Sequence, residues 1–244
     1  NGSVSISGYD SAELTFPFVK NIINGVVIED IVYSGSEIRG DDNIEYPLFT
    51  ISSSKGLKIF RDIVNGTLSE DLTIPSDDPA VEDYTIDYTT PNPNIDGILA
   101  NDIELSFEEG ESWTPIGIND EVYFSGSFDG CGFEISGMQI SNSEVENPGL
   151  FGNIVSLYSD TISNLTVSGN MSVSKENTGG IAGYVMGYNF NNCVNKVVIN
   201  SSSTKLGGIV GYADSCTIEG CVNEGTINSS STKLGGIVGY ADSC

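Results

Sequence analysis

Histidine is absent from this 244-residue chain, and lysine plus arginine total 9 against 34 aspartates and glutamates. Without an imidazole, Ser-His-Asp and Cys-His catalysis cannot be assembled from this chain alone. The usual nitrogen ligand for zinc is missing too, and no CxxC pair takes its place. A net charge of −25 argues against nucleic acid and anionic membrane as partners. No window of 18 apolar residues occurs, so no membrane insertion is expected. Positive charge is missing most completely in the middle: no Lys or Arg lies between Arg61 and Lys175, while 17 acids lie between Asp62 and Asp129. No signal-peptide pattern is read at Asn1, which is expected to be a mature or trimmed start, not a native one.

What the chain does have is a repeat. INSSSTKLGGIVGYADSC fills residues 199–216 and returns at 227–244, an offset of 28. Gly179-Gly180-Ile181 is a fainter copy one period before Gly207-Gly208-Ile209. Periods of 20–50 residues mark solenoids, propellers or arrays, and a propeller blade needs about 40 or more. The unit alternates short β-branched pieces with Gly, Asn, Asp and Ser and contains no Pro, which reads as strands joined by corners. Three strands and three corners per 28 residues predict a right-handed parallel β-helix, with coils roughly 4.8 Å apart. Equivalent positions then stack. Ile181, Ile209 and Ile237 form one expected column, Leu165, Cys193 and Cys221 a second, and Met171, Ile199 and Ile227 a third. Gly183, Gly211 and Gly239 recur where the backbone bends or approaches a neighbour.

Before the repeat the chain is mixed. Residues 1–48 form a β-rich segment, with strand-like pieces at 4–6, 14–19, 26–28 and 31–33. Residues 49–244 form the β-helix proper. It opens with one helix at 52–65, where Leu57, Phe60, Ile63 and Val64 share a face and Gly66 stops the run. The helix covers the open edge of the first coil. An acidic loop or projecting hairpin occupies 67–98, and the coils run from about 99 to 244.

Five short motifs then follow in order: DIELS (102–106), WTPIG (113–117), FSGSFDGCGFEISGM (124–138), GLFG (149–152) and the GGIVGY units. In this order, after a helix, they resemble the secreted bacterial surface proteins that carry the GLUG motif. Met138 and Cys131 stand where that pattern usually has Leu and often has Asn. The resemblance covers about residues 49–244. It implies a right-handed β-helix on a bacterial surface, found in adhesin-like proteins, and implies no catalytic residue.

Candidate site residues follow from chemistry. Tyr184, Tyr212 and Tyr240 recur every 28 residues; facing outward they form an aromatic ladder for a glycan or protein, facing inward they are core. Asp77, Asp78, Glu82 and Asp83 offer hard oxygens that suit weak calcium binding, or else form a solvated acidic loop. GGIVGYADS is superficially similar to the calcium-binding nonapeptide, but its third Gly and its Asp are displaced. Asp120, Glu121, Asp129 and Glu134 are the carboxylates a hydrolase would use, although Asp129 beside Gly130 reads as a corner residue. Trp113, the single Trp, plugs the early core. Cys131, Cys193, Cys216, Cys221 and Cys244 read as small apolar stacking residues before disulfides or zinc ligands.

The expectation is a non-catalytic secreted or cell-surface module, adhesin-like, that presents a repetitive face to a host protein, matrix or glycan ligand. A structural spacer or stalk is the alternative, and a carbohydrate-active enzyme a third. Further repeats or domains of the same polypeptide are expected after the second copy, whose coil is incomplete at Cys244. Residues after about 232 should therefore exchange amide hydrogens faster than 204–216.

Overall fold

The computed structural model describes residues 22–23, 26–27, 30–39, 44–69, 72–78, 80–86, 90–141 and 144–244. The pieces expected at 4–6 and 14–19 lie outside these. The described chain is mainly β, a solenoid of about five turns with about 28 residues per coil.

Two short pieces, β1 (Ile22–Ile23) and β2 (Val26–Val27), pair antiparallel, and so do β3 (Ile31–Arg39) and β4 (Ile44–Ile51). The helix α1 (Ser54–Asn65) follows, then an antiparallel pair in the acidic loop, β5 (Leu72–Ile74) and β6 (Tyr84–Ile86). The coils begin with β7 (Asp96–Leu99), β8 (Ile103–Glu104), β9 (Phe128–Asp129), β10 (Glu134–Ile140) and β11 (Phe151–Val155). The next coil holds β12 (Thr161–Ser163), β13 (Thr166–Val173), β14 (Thr178–Gly179) and β15 (Ala182–Met186). After it come β16 (Asn189–Asn191), β17 (Val194–Ser201), β18 (Lys205–Gly207) and β19 (Val210–Asp214). The last holds β20 (Thr217–Glu219), β21 (Val222–Asn223), β22 (Ile227–Ser229), β23 (Lys233–Gly235) and β24 (Val238–Asp242).

From β12 onward the pairing between coils is parallel and in register at 28 residues: Met171 pairs Ile199 and Ile199 pairs Ile227, Tyr184 pairs Tyr212 and Tyr212 pairs Tyr240. Strands collect into four stacks, not the expected three. The extra one is β14, β18 and β23, where the Leu-Gly step makes its own short strand before the chain turns through Gly208 and Ile209. The close approach expected at the recurring glycines is present. A Cβ on Gly211 would lie 2.3 Å from the Asn177 carbonyl carbon, inside any real contact.

The hairpin of β3 and β4 continues the coil sheet, because β4 pairs parallel with β7. The helix is capped as its sequence predicts. Ser53 Oγ accepts from the Gly56 N–H, and Gly66 takes the left-handed conformation at the C-terminus. Leu57, Phe60, Ile63 and Val64 are buried, and Phe60 meets Phe124 and Phe128 edge-on. Burying each such side chain contributes roughly 1.5–3 kcal/mol. Asn65 adds a polar clamp: Nδ2 donates to the Pro115 carbonyl and Oδ1 accepts from the Gly117 N–H, which ties the helix end to the WTPIG segment. Trp113 is fully buried, with Nε1 donating to the Leu150 carbonyl at 2.9 Å. The identical copies differ in cover: Leu206 is 0% exposed and Leu234 is 51% exposed. Among the described residues no helix is long and apolar enough to cross a membrane.

Candidate binding surface

Along β15, β19 and β24 the side chains divide between core and surface. Val185 and Ala213 are fully buried, while Tyr184, Tyr212 and Tyr240 beside them are half-buried on the outer face. Register places the three tyrosines directly over one another. Their ring centroids are 5.1 and 5.2 Å apart, with interplanar angles of 7° and 17°. Ring faces along the column are thus used by neighbouring rings, and the edges and hydroxyls meet solvent. Two lysines flank the column, Lys205 Nζ 4.7 Å from the Tyr212 centroid and Lys233 Nζ 4.1 Å from the Tyr240 centroid. Burial and the nearby Asp214 carboxylate raise the Tyr184 hydroxyl above the usual phenol range, so it stays neutral.

The column ends at a cleft. Beyond Tyr184 the next residue in register is Asn153 on β11, and both line a cavity of about 870 Å³ between the β3–β4 hairpin and the coils. Tyr46, Tyr123 and Tyr158 also line it, with Asn94 and Asn147. Asp120 and Glu146 stand exposed at its rim, and Leu157 forms an apolar lip that is 85% exposed. A string of carboxamides runs to its wall. Asn177 Nδ2 donates to Asn147 Oδ1 at 2.7 Å, and Asn147 Nδ2 donates to Asn153 Oδ1.

Beneath Tyr46 sits a buried charge network that no sequence motif announced. Arg39, at the end of β3, reaches Asp160 at 2.6 Å and also pairs with Asp96 and Glu37. Its guanidinium carbon lies 4.5 Å from the Tyr46 ring centroid. Burial pushes the Asp96 carboxyl up to about 6, against the pull of Arg39 and of the Ser127 N–H. Ser156 Oγ donates to Asp160 Oδ2, and the Ser127 hydroxyl to Asp160 Oδ1. Arg39, Asp96 and Asp160 lie far apart in the chain, so nothing in local spacing joins these three.

The remaining candidates separate. Asp77, Asp78 and Asp83 all serve the acidic loop itself: Ser34 Oγ donates to Asp77 Oδ2, and the N–H groups of Ala80 and Ser76 donate to Asp78 Oδ1 and Asp83 Oδ1. Glu82 is exposed. Among the described residues no group of three or more Cys, Asp or Glu is placed to hold a metal ion. Asp129 is a corner residue as read, accepting from the Cys131 N–H and Asn164 Nδ2. Glu134 pairs with Lys196 at 3.0 Å along the stack of β10, β13 and β17, away from the tyrosine column, and the Ser168 hydroxyl holds its carboxyl below the usual range. Of the four hydrolase candidates, Asp120 alone lines the cleft. All five cysteines are free thiols. Cys193 and Cys221 stack one above the other, and their sulfurs donate to the carbonyls of Ile162 and Phe190 in the coil below.

The GLUG motif matches residues 202–228. The matched span is one coil, from the loop before β18 through the start of β22, and it contains Lys205 and Tyr212. The chain is therefore a β-helix repeat protein similar to GLUG-motif proteins over that coil. No match to the chain is found among curated proteins or among solved structures.

Proposed function

We propose that this protein is a non-catalytic binding module, secreted or displayed on a bacterial cell surface, that presents an adhesin-like face to a host protein, matrix or glycan ligand. The outward tyrosine column carries the reading. Three identical residues stand in register on one face, two of them paired with a lysine, and the GLUG segment contributes the middle pair. A solenoid multiplies such a face by adding coils, so weak contacts at each step sum along a long ligand. Stacked rings expose edges and hydroxyls, which suits a hydrogen-bonding partner lying across the face. A spacer role is favoured by a different observation: the outer positions along β13 and β17 are mostly small and polar, such as Ser168, Ser172 and Asn200.

Binding to immobilised matrix proteins and mucin-type glycans tests the proposal. Retention by at least one such surface, lost in Tyr212→Ser and in Lys205→Ala, is expected. Failure to bind any of them, or equal binding by both variants, would favour the spacer. Release of reducing sugar from a bound glycan would contradict the non-catalytic part.

A further inference from the structure

We infer that the cleft beside Tyr184 is a site for an uncharged sugar residue of a glycan. The inference rests on the reading of this protein as a binding module, and it adds a sugar site in the cleft at the end of the tyrosine column. The volume, about 870 Å³, lies within the range of small-ligand sites. What selects the ligand is the kind of polar group inside. The polar groups within the cleft are carboxamides and hydroxyls, from Asn94, Asn147, Asn153 and the tyrosines. A carboxamide both donates and accepts, and so does a sugar hydroxyl, so each can satisfy the other.

Asn153 is only 4% exposed and is fixed through Oδ1 by the string from Asn177 and Asn147. Asn153 ends that string at the cleft wall. Tyr184 has a ring neighbour on the Tyr212 side. On the other side its neighbour in register is the smaller Asn153, not another ring, and both line the cleft, where the C–H face of a pyranose can approach Tyr184.

Charge excludes the alternatives. No Lys or Arg lines the cleft, and Arg39 behind it is already held by Asp96, Asp160 and Glu37. A uronate, sialate or sulfate would therefore meet the carboxylates of Asp120 and Glu146 with no cation to pair with. Those two carboxylates are exposed at the rim, where a pair with a cationic ligand is screened and contributes little. An uncharged polyhydroxyl ligand faces neither penalty.

A glycan array carrying neutral, sialylated and sulfated structures, together with cationic peptides, tests this on the 244-residue chain, followed by saturation-transfer NMR with the best neutral sugar. Binding to neutral structures is expected, weakened about tenfold or more in Tyr123→Ala and Asn94→Ala and unchanged in Ser172→Ala, an exposed position on β13 outside the cleft. Leu157→Arg changes an 85% exposed lip residue and so leaves the fold intact; it should weaken neutral-sugar binding and admit acidic sugars. Preference of the unaltered chain for acidic sugars or cationic peptides, absence of any neutral-sugar signal, or full binding by Leu157→Arg would overturn the inference. Matrix binding that depends on Tyr212 without sugar binding would sink the cleft and leave the module reading standing. Sugar bound in the cleft and then cleaved would do the reverse.

Discussion

Replacing Arg39 with Ala should unfold this protein more readily than almost any other change at a polar residue. The guanidinium side chain is 15% exposed, and its partners Asp96 and Asp160 are 7% and 2% exposed. Removing it leaves two buried carboxylates side by side with no counter-charge. Breaking a buried pair from one side costs about 3–5 kcal/mol, because the stranded charge stays desolvated. At roughly 2–4 °C per kcal/mol for a chain of this size, Tm should fall by roughly 6–20 °C. The loss should depend on pH. Asp96 already sits at about 6 in the fold against an ordinary value of 3.8. A carboxyl raised in the folded state stabilises the fold fully below its unfolded value, and that contribution disappears as pH rises through the folded value. Without Arg39 the folded value climbs further. The deficit is therefore largest near about pH 7.5 and shrinks toward about pH 5. Urea and thermal melts followed by circular dichroism, at both pH values, give the comparison. Adding Asp96→Asn to the Arg39→Ala chain should restore about 1 kcal/mol or more, since one stranded charge is gone. A deficit below about 1 kcal/mol that does not change with pH would show the network to be a solvated surface pair, and the reasoning would be wrong.

Gly211→Ala should cost about 1–3 kcal/mol or more because the new methyl meets the backbone of Asn177, whereas Gly236→Ala, with nothing within 4 Å, should be nearly neutral; paired urea melts decide this. Alkylation near neutral pH followed by mass spectrometry should label Cys221 before Cys193. The neighbouring Cys193 thiol lowers Cys221 below the ordinary thiol range, and Cys193 is the more deeply buried of the two; faster labelling of Cys193 would contradict the stacked geometry. Millimolar calcium against a chelator should leave Tm unchanged, because Asp77, Asp78 and Asp83 are occupied as loop caps; a clear rise with calcium would show that they rearrange to bind it.

The coils were readable from sequence because stacking leaves a trace at a fixed offset. Met171, Ile199 and Ile227 had to be apolar together, and the register of β13, β17 and β22 is the one that the 28-residue period predicts. The helix was readable from the spacing of Leu57, Phe60, Ile63 and Val64 and from Gly66. The number of strands per coil was not, because Leu206-Gly207 is too short to carry a strand pattern of its own. Whether the tyrosines face outward needed the backbone, since aromatic residues serve both core and surface in β structure. The cleft and the Arg39 network left no trace. Their residues are drawn from widely separated parts of the chain, and a single sequence holds no signal that ties Arg39 to Asp160.

The duplicated eighteen residues also make this chain its own reference experiment. Copies at 199–216 and 227–244 have the same letters, hence the same intrinsic exchange chemistry and the same local propensities, yet within these 244 residues Leu206 is 0% exposed and Leu234 is 51% exposed. A difference in amide protection between matched positions therefore cancels everything except the contact with a neighbouring coil. In a one-dimensional array whose stability is a sum of unit and nearest-neighbour terms, that difference is the coupling free energy itself, measured within one molecule and without a mutation.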